Sequence, residues 1–181
     1  ANEAAILLNW VLDPSGVMYP RQGVQRWVNA QANAGQPVGR IYESLLFSKI
    51  LIQSGTKLYW TAQTSGGSYT LVHTFSTAAL CGMVDFNGAL VVVHPVDGVY
   101  VYTTAGGVSQ TAGGTYNMEY VKGSVVASWQ NACFVLGDVR AGFETRVWRS
   151  ALGDPTHWDV SATGNWADLR EKDDAPLVAA G

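Results

Sequence analysis

The feature that most constrains the fold is a dense alternation of short apolar runs with turn residues. The runs are rich in β-branched and aromatic side chains, and most are bounded by Gly, Asn, Asp or Ser. In chain order they are KILIQ, KLYWTAQ, YTLVHTF, ALVVVHP, VYVYTT, SVVASW, CFVLGD and TRVWRS. Runs this short and this often interrupted are typical of strands in antiparallel hairpins, so the sequence predicts an all-β fold.

Pairs of turn residues separate most of these runs. They are Ser-Gly at 54–55, Gly-Gly at 66–67, Asn-Gly at 87–88, Asp-Gly at 97–98, and Gly-Gly at 106–107 and 113–114. Asn-Gly and Asp-Gly predict two-residue type I′ turns, because both central residues of that turn need a positive φ. The stretch 19–35 places Val24, Trp27 and Val28 on one helical face, but its glycine and proline suit a loop equally well, and it stays unassigned.

Two segments of the chain repeat each other. NGALVVVHPVDG (87–98) aligns with NACFVLGDVRAG (131–142) at an offset of 131 − 87 = 44 residues, and a fainter copy lies at 54–74. Each unit holds an apolar strand, a glycine-containing hairpin, a second strand ending in an aromatic residue, and a polar return. A unit of about 40 to 45 residues with four short strands has the size of a propeller blade. The sequence therefore predicts an incomplete β-propeller-like fold of repeated antiparallel blades, with an irregular β-sandwich as the alternative.

The predicted organisation is an N-terminal arm or loop segment over 1–38 and a propeller-like domain over 39–181. Its blades are expected at about 39–78, 79–122 and 123–166, followed by the start of a fourth. A closed propeller has about four to eight blades, so the rest are expected from a longer chain or from neighbouring subunits. We therefore predict a homo-oligomer, in which the uncharged run LVVVHP is an unprotected edge strand and AILLNWVL docks as a strand on another blade or subunit.

The segment ALGDPTHW predicts a tight corner with a tryptophan on each side. Pro155 stops the strand because its ring fixes φ and it has no N–H, and Asp154 is suited to accept hydrogen bonds from turn amides. Trp148 is expected to end a strand and fill the gap to the adjacent sheet, and Trp158 to cover the end of the sheet. Trp166, in SATGNW, is expected to take the place of Trp158 in a second, smaller copy.

The motif S-x-L-G-D-P-x-x-W, here within RSALGDPTHW, resembles a corner found in β-propeller structural proteins of tailed bacteriophages, of the tail hub or nozzle and packaged-DNA stabilisation type. Near the N-terminus, LLNWVLDPSGVMYPRQGVQRW is similar to the opening of such proteins, and GRIYESLLFSKILIQSGTKLYW resembles their first blade. The resemblance implies an architectural role in the virion, as a ring of copies around the DNA channel that carries other tail or connector proteins. It implies synthesis in the host cytoplasm, and it brings no catalytic residues.

Charge and cysteine content argue against several classes of function. The 11 basic and 14 acidic residues give a net charge of −3 with no basic run, so sequence-specific nucleic-acid binding is not expected. No apolar run is long enough for a membrane helix, and the N-terminus lacks the basic region of a secretory signal. Cys81 and Cys133 lie inside apolar runs and are expected to be buried thiols. His73, His94 and His157 have no ligand-spaced partners, so no metal or cofactor is expected.

Two alternatives to an architectural role carry different chemistry. A sialidase-like glycosidase would be a propeller with Asp-containing corners, but SALGDPTHW matches such a corner only loosely, and Arg146 and Arg149 fall on opposite faces of one strand. The sequence predicts no enzyme. A carbohydrate- or receptor-binding tail module, with a host-surface glycan as partner, would use exposed aromatic rings. Trp60 is the candidate exposed or interface ring, because it follows Tyr59 directly and must face the other way.

Overall fold

A computed structural model describes residues 32–62, 68–103, 117–158 and 160, together with the backbone of three short strands at 10–12, 18–20 and 166–168. Over these residues the chain forms strands, turns and loops and no helix. The all-β prediction is therefore confirmed.

Thirteen strands are found in the described part of the chain, and they form one hairpin and three larger sheets. The hairpin contains β1 (Trp10–Leu12) and β2 (Met18–Pro20). Sheet I contains β3 (Val38–Ser44), β4 (Lys49–Ser54), β5 (Lys57–Ala62) and β6 (Thr70–Thr74). Sheet II contains β7 (Gly82–Phe86), β8 (Ala89–His94) and β9 (Gly98–Tyr102). Sheet III contains β10 (Val125–Trp129), β11 (Ala132–Leu136), β12 (Arg146–Arg149) and β13 (Trp166–Asp168). Within each sheet, neighbours in space are neighbours in sequence and run antiparallel, so each sheet is a meander.

Both faces of sheet II are covered by its neighbours. Side chains alternate along β8, so Leu90 and Val92 join a core cluster shared with sheet I, whereas Val91 and Val93 join a cluster shared with sheet III. Every residue of β8 and β9 is buried. This explains why the run ALVVV is apolar at every position rather than at every second one, since a strand buried on both faces has no solvent side.

The first strands of successive sheets lie side by side. Strand β10 packs against β7 and β8, and β3 approaches β7. In each sheet the first strand is therefore the one nearest to the neighbouring sheet, and the later strands lie progressively farther from it.

The turns agree with the sequence at Asn-Gly and differ at Asp-Gly. Asn87 and Gly88 have φ of 46° and 77° and form the two-residue turn between β7 and β8. At the second pair, His94 is opposite Gly98, so three residues form the turn and Gly98 itself begins β9 with φ of 100°. A two-residue turn was wrong there because the His94 imidazole holds the turn, as described below. The three Gly-Gly pairs, like residues 21–31 of the unassigned stretch, lie outside the described residues.

Two further expectations need correction. LVVVHP is not an edge strand, because β8 is the central strand of sheet II and needs no charge to protect it. The hairpins of sheets II and III are offset by 129 − 86 = 43 residues rather than 44, because Gln130 and Asn131 form the turn after Trp129 as Asn87 and Gly88 do after Phe86.

The prediction for the N-terminal strand is tested only in part. Within AILLNWVL, Trp10–Leu12 pairs with β2, and residues 1–9 lie outside the described part. The described strand is thus paired within its own hairpin.

Gly98 gives a direct test of the packing around sheet II. A Cβ at Gly98 would lie 2.5 Å from the carbonyl oxygen of Met118, and the residue has a positive φ. We expect Gly98→Ala to lower the free energy of unfolding by about 3 kcal/mol or more. Gly88→Ala is the matched control, because Gly88 also has a positive φ but no atom within 4 Å of the added Cβ, and it should cost only about 1–2 kcal/mol. Urea denaturation followed by tryptophan fluorescence measures both, and equal losses would contradict the packing argument.

Candidate structural site

The corner after β12 begins with a hydrogen-bonded attachment to β11. The amide of Ser150 donates to the carbonyl oxygen of Cys133 at 2.9 Å, and the Ser150 hydroxyl accepts from the Cys133 amide at 2.9 Å. Ser150 is fully buried. Ser150 therefore extends the β11–β12 pairing by one residue, and its two hydrogen bonds fix the start of the corner relative to β11.

Gly153 lies between the hairpin tips of sheets II and III and bonds to both. Its amide donates to the carbonyl oxygen of Asn131 at 2.7 Å, and its carbonyl oxygen accepts from Nδ2 of Asn87 at 2.6 Å. The glycine has φ of 74°, and a Cβ there would lie 3.4 Å from Nδ2 of Asn131. One residue of the corner thus joins two sheets, and its positive φ favours glycine.

Asp154 and Pro155 shape the rest of the corner. Oδ1 of Asp154 accepts hydrogen bonds from the amide and the hydroxyl of Thr156, at 2.8 and 2.6 Å. The carbonyl oxygen of Pro155 accepts from Nε1 of Trp158 at 2.8 Å. The aspartate therefore holds the turn, and the proline carbonyl satisfies the one polar atom of the tryptophan ring that follows.

Trp148 and Trp158 lie on the side of the corner that faces sheet II. Each is 1% exposed, and both belong to the cluster that sheets II and III share. The carbonyl oxygen of Trp158 accepts from Nδ2 of Asn117, which lies in the segment after β9. Since the Val99 amide of β9 donates to the Met118 carbonyl, that segment is tied both to sheet II and to the corner.

An ion pair between a buried carboxylate and a partly exposed guanidinium lies beside Trp148. Asp138 is buried and accepts hydrogen bonds from the Arg140 guanidinium at 2.9 and 2.5 Å and from Nε1 of Trp148 at 3.3 Å. The guanidinium lies 4.8 Å from the ring centre of Tyr120 and 4.6 Å from that of Phe143. A buried carboxylate needs both a countercharge and hydrogen bonds, and here the arginine supplies both.

The other two tryptophans singled out in the sequence lie elsewhere. Trp60 faces away from Tyr59, and it is half-buried against the cluster between sheets I and II. Trp166 begins β13 opposite Trp148, so it lies in a strand, whereas Trp158 lies in the irregular corner. The structure therefore brings together Trp148, Asp154, Pro155 and Trp158, while Trp60 belongs to a different sheet junction.

A second group of polar residues lies at the junction of sheets I and II. His94 is fully buried, and its Nδ1 accepts hydrogen bonds from the amides of Val96 and Asp97 at 3.3 and 3.1 Å. The ring stacks on Phe75 with 4.4 Å between centres. Burial lowers the pKa of His94, against the opposing effect of Asp97. The imidazole thus acts as a neutral acceptor that holds the three-residue turn before β9.

Asp97 connects the same turn to sheet I. Its carboxylate accepts from the amide of Ser76 at 2.7 Å and from the Ser76 hydroxyl. Burial alone would raise the pKa of Asp97, but the hydrogen bonds from Ser76, together with the nearby His94 and Lys122, outweigh it and the pKa is lowered. A second link runs from Gln53, whose Oε1 accepts from the Cys81 amide at 2.9 Å while its Nε2 donates to the Ala79 carbonyl at 2.7 Å.

The thiols are poor nucleophiles in this setting. Burial raises the pKa of both Cys81 and Cys133 to about 12, so each is a thiol at neutral pH. Among the residues with described positions, no group of three or more His, Cys, Asp and Glu side chains is arranged to hold a metal ion. In the same part of the chain, no helix has the length and apolar character of a membrane span.

The sequence analysis did not identify Asn131, whose carbonyl oxygen bonds to the corner, or Trp129, the exposed residue two positions before it. Asn131 was aligned with Asn87, although it occupies the second position of its turn, with φ of 60°. Trp129, the residue before that turn, is 63% exposed. The signal available for both was the dipeptide Gln-Asn between two apolar runs, which is a weaker turn marker than Asn-Gly.

Comparison of the chain with protein-family models, with curated proteins and with solved structures gave no match.

The hydrogen bonds of Asp154 give a test of the corner. We expect Asp154→Ala to lower the free energy of unfolding by about 1–2 kcal/mol, because the amide and hydroxyl of Thr156 lose their acceptor. Asp154→Asn keeps an oxygen at the same place and should lose less than half of that. Leu152→Ala, at a 69% exposed position of the same corner, should stay within about 0.5 kcal/mol of the parent. Equal losses in the two Asp154 variants, measured by urea denaturation, would show that the acceptor is not what matters.

His94, which is buried, and His73, which is half-buried, predict a loss of stability in mild acid. The pKa values of His73 and His94 are both lowered by burial, so the unfolded chain binds more protons than the folded one once the pH falls below about 6.5. Stability should be constant above that pH and fall below it, by at most about 1.4 kcal/mol per pH unit for each histidine.

The variant His94→Asn separates the two contributions. Asparagine places Oδ1 near the position of Nδ1, so it can still accept from the turn amides but does not titrate. Unfolding free energies from pH 7.5 to pH 5 should fall less steeply in this variant than in the parent. An unchanged slope would contradict the assignment of His94 as a proton-linked group.

Proposed function

We propose that the chain is a structural virion protein of a tailed phage, part of the tail hub or nozzle or of the head-to-tail connection, that assembles as a ring around the DNA channel. Its sheets I, II and III would be successive blades of an incomplete propeller. The observation that carries the proposal is the packing of sheet II between its two sequence neighbours, with the first strands of successive sheets side by side.

The way polar groups are used at the two junctions supports an architectural role. Asn87, Gly153 and Asp154 hold the corner between sheets II and III, whereas His94 holds the β8–β9 turn of sheet II and Asp97 links that turn to Ser76, after sheet I. These contacts join one sheet to the next or fix the turns that do so. Such a chain is suited to keep the angle between successive sheets constant under mechanical load.

The arrangement also supports assembly with other subunits. Sheets I, II and III are three units, and a closed propeller needs about four to eight. The remaining blades would come from a longer chain or from neighbouring subunits, and the proposed partners are copies of the same chain and other proteins of the tail or connector. The proposed location is the virion, after synthesis in the host cytoplasm.

The proposal is tested on particles of the virus that encodes the chain. Mass spectrometry of purified virions should find the chain, and antibodies raised against it should label the tail or the neck in electron micrographs. Particles made without it should have defective tails or lose packaged DNA. Antibody against the major capsid protein is the control, and it should label heads only. A chain absent from purified virions, or one that hydrolyses a fluorogenic sialoside, would overturn the proposal.

A further inference from the structure

The turn between β7 and β8 contains the one Asn-Gly pair of the sequence, Asn87 and Gly88. Asparagine deamidates most readily before glycine, because glycine has no side chain to hinder attack on the asparagine amide and its backbone rotates freely. Both residues are exposed, and a Cβ added at Gly88 would meet no atom within 4 Å. The reacting groups and the solvent water are therefore not obstructed by the surrounding protein.

The side-chain amide of Asn87 is also the link between sheet II and the corner. Its Nδ2 donates to the carbonyl oxygen of Gly153 at 2.6 Å, and the Gly153 amide is held in turn by the Asn131 carbonyl. Deamidation expels Nδ2 as ammonia, so the reaction cannot finish while this hydrogen bond is kept. One bond thus joins the corner to sheet II and holds the reactive amide in place.

We propose that Asn87 is a deamidation site controlled by the corner. The reaction is slow while Nδ2 is bound to Gly153 and fast once the corner opens, and afterwards the hydrogen bond cannot form again. A transient opening between sheets II and III is thereby made permanent. The inference goes beyond the proposed function and does not depend on it.

The chemistry needs only these two residues and water. The backbone nitrogen of Gly88 attacks Cγ of Asn87 and forms the N–Cγ bond of a cyclic imide. The Cγ–Nδ2 bond breaks, and Nδ2 leaves as ammonia with the proton of the Gly88 amide. Water then opens the imide at either carbonyl carbon and gives aspartate or isoaspartate, with no oxidant or reductant involved.

Neither product can restore the link to the corner. Both carry a carboxylate in place of the amide, and an ionised carboxylate accepts hydrogen bonds but has no proton to donate to the Gly153 carbonyl. Isoaspartate also adds a methylene to the backbone of a two-residue turn. The modified turn therefore presents an acceptor to an acceptor where the parent chain has a hydrogen bond.

Asn87→Asp reproduces one product and tests this consequence. We expect it to raise the equilibrium constant for unfolding about tenfold, because one hydrogen bond is lost and two acceptors face each other. Asn131→Asp is the matched control, because it makes the same change in the neighbouring turn, where the backbone carbonyl rather than the side chain bonds to Gly153. It should stay within about threefold of the parent. Equal losses in the two variants, measured by urea denaturation, would overturn the proposal.

The rate of the reaction tests control by the corner. The full chain is incubated at mildly alkaline pH, folded or in urea, and peptide mapping by mass spectrometry follows the loss of the Asn87 amide. We expect the folded chain to react at least about tenfold more slowly than the chain in urea. Asp154→Ala should speed the reaction of the folded chain by about 5–30-fold, because it raises the fraction of chains with an open corner.

Gly98→Ala is the control for overall stability. Gly98 is opposite His94, at the far end of β8 from Asn87, so the variant destabilises the chain without touching the corner. The Asn87 amide should be lost at the parent rate in this variant. Acceleration as large as in Asp154→Ala would show that global unfolding controls the reaction and would overturn the proposal.

Two further results decide the question. Loss of the Asn87 amide at the same rate in the folded chain and in urea would show that the bond to Gly153 gives no protection, and the proposal would fail. Gly88→Ala should slow the reaction in urea, where the fold has no influence. An unchanged rate there would contradict the attack by the Gly88 nitrogen and overturn the proposed site.

Discussion

The burial of both faces of sheet II is the constraint on which the rest of the structure depends. A three-stranded sheet of such short strands is marginal alone, because an exposed apolar face on either side would favour aggregation. Here Leu90 and Val92 are covered from one side and Val91 and Val93 from the other. Sheets I and III therefore cover the two apolar faces that sheet II would otherwise expose to water.

Hydrophobic packing of this kind does not by itself fix the angle between sheets, because it is not directional. The directional contacts are the few hydrogen bonds between them. Between sheets I and II, the Ser44 hydroxyl donates to Asp85 at 2.7 Å, and the Tyr42 hydroxyl accepts from the Asp85 amide at 2.8 Å. Between sheets II and III, Gly153 bonds to Asn87 and Asn131. Between sheets I and II these bonds join the ends of β3 and β7, and between sheets II and III they join the hairpin turns after β7 and β10 to the corner. A small rotation between the sheets would break them.

Much of this architecture was predictable from sequence, and the limits have physical causes. The fold class and the Asn-Gly turn followed from local patterns, since strand runs and positive-φ pairs act over a few residues. The three-residue turn before Gly98 did not, because it depends on His94, whose side chain bonds back to the turn. The corner was recognised from Asp154 and Pro155, but its attachment to Asn87 joins residues 66 positions apart and has no local signature. Trp60 was selected by strand alternation. Alternation shows that the rings of Tyr59 and Trp60 point to opposite faces of the sheet, but it does not show which face is covered by the rest of the protein.

The junction between sheets I and II and the junction between sheets II and III differ in their chemistry, so they are expected to respond differently to acid. At the junction between sheets I and II, the turn that Asp97 links to Ser76 is held by the neutral imidazole of His94, with Asp97 and Lys122 as the charged groups near it. At the junction between sheets II and III, the links through Gly153 are made by backbone groups and asparagine amides, which do not titrate. Mild acid therefore weakens the first junction while leaving those links intact. Since His94 lies at the end of β8, loss of its turn would act first on β9, which follows the turn, and on the Asp97–Ser76 link to sheet I.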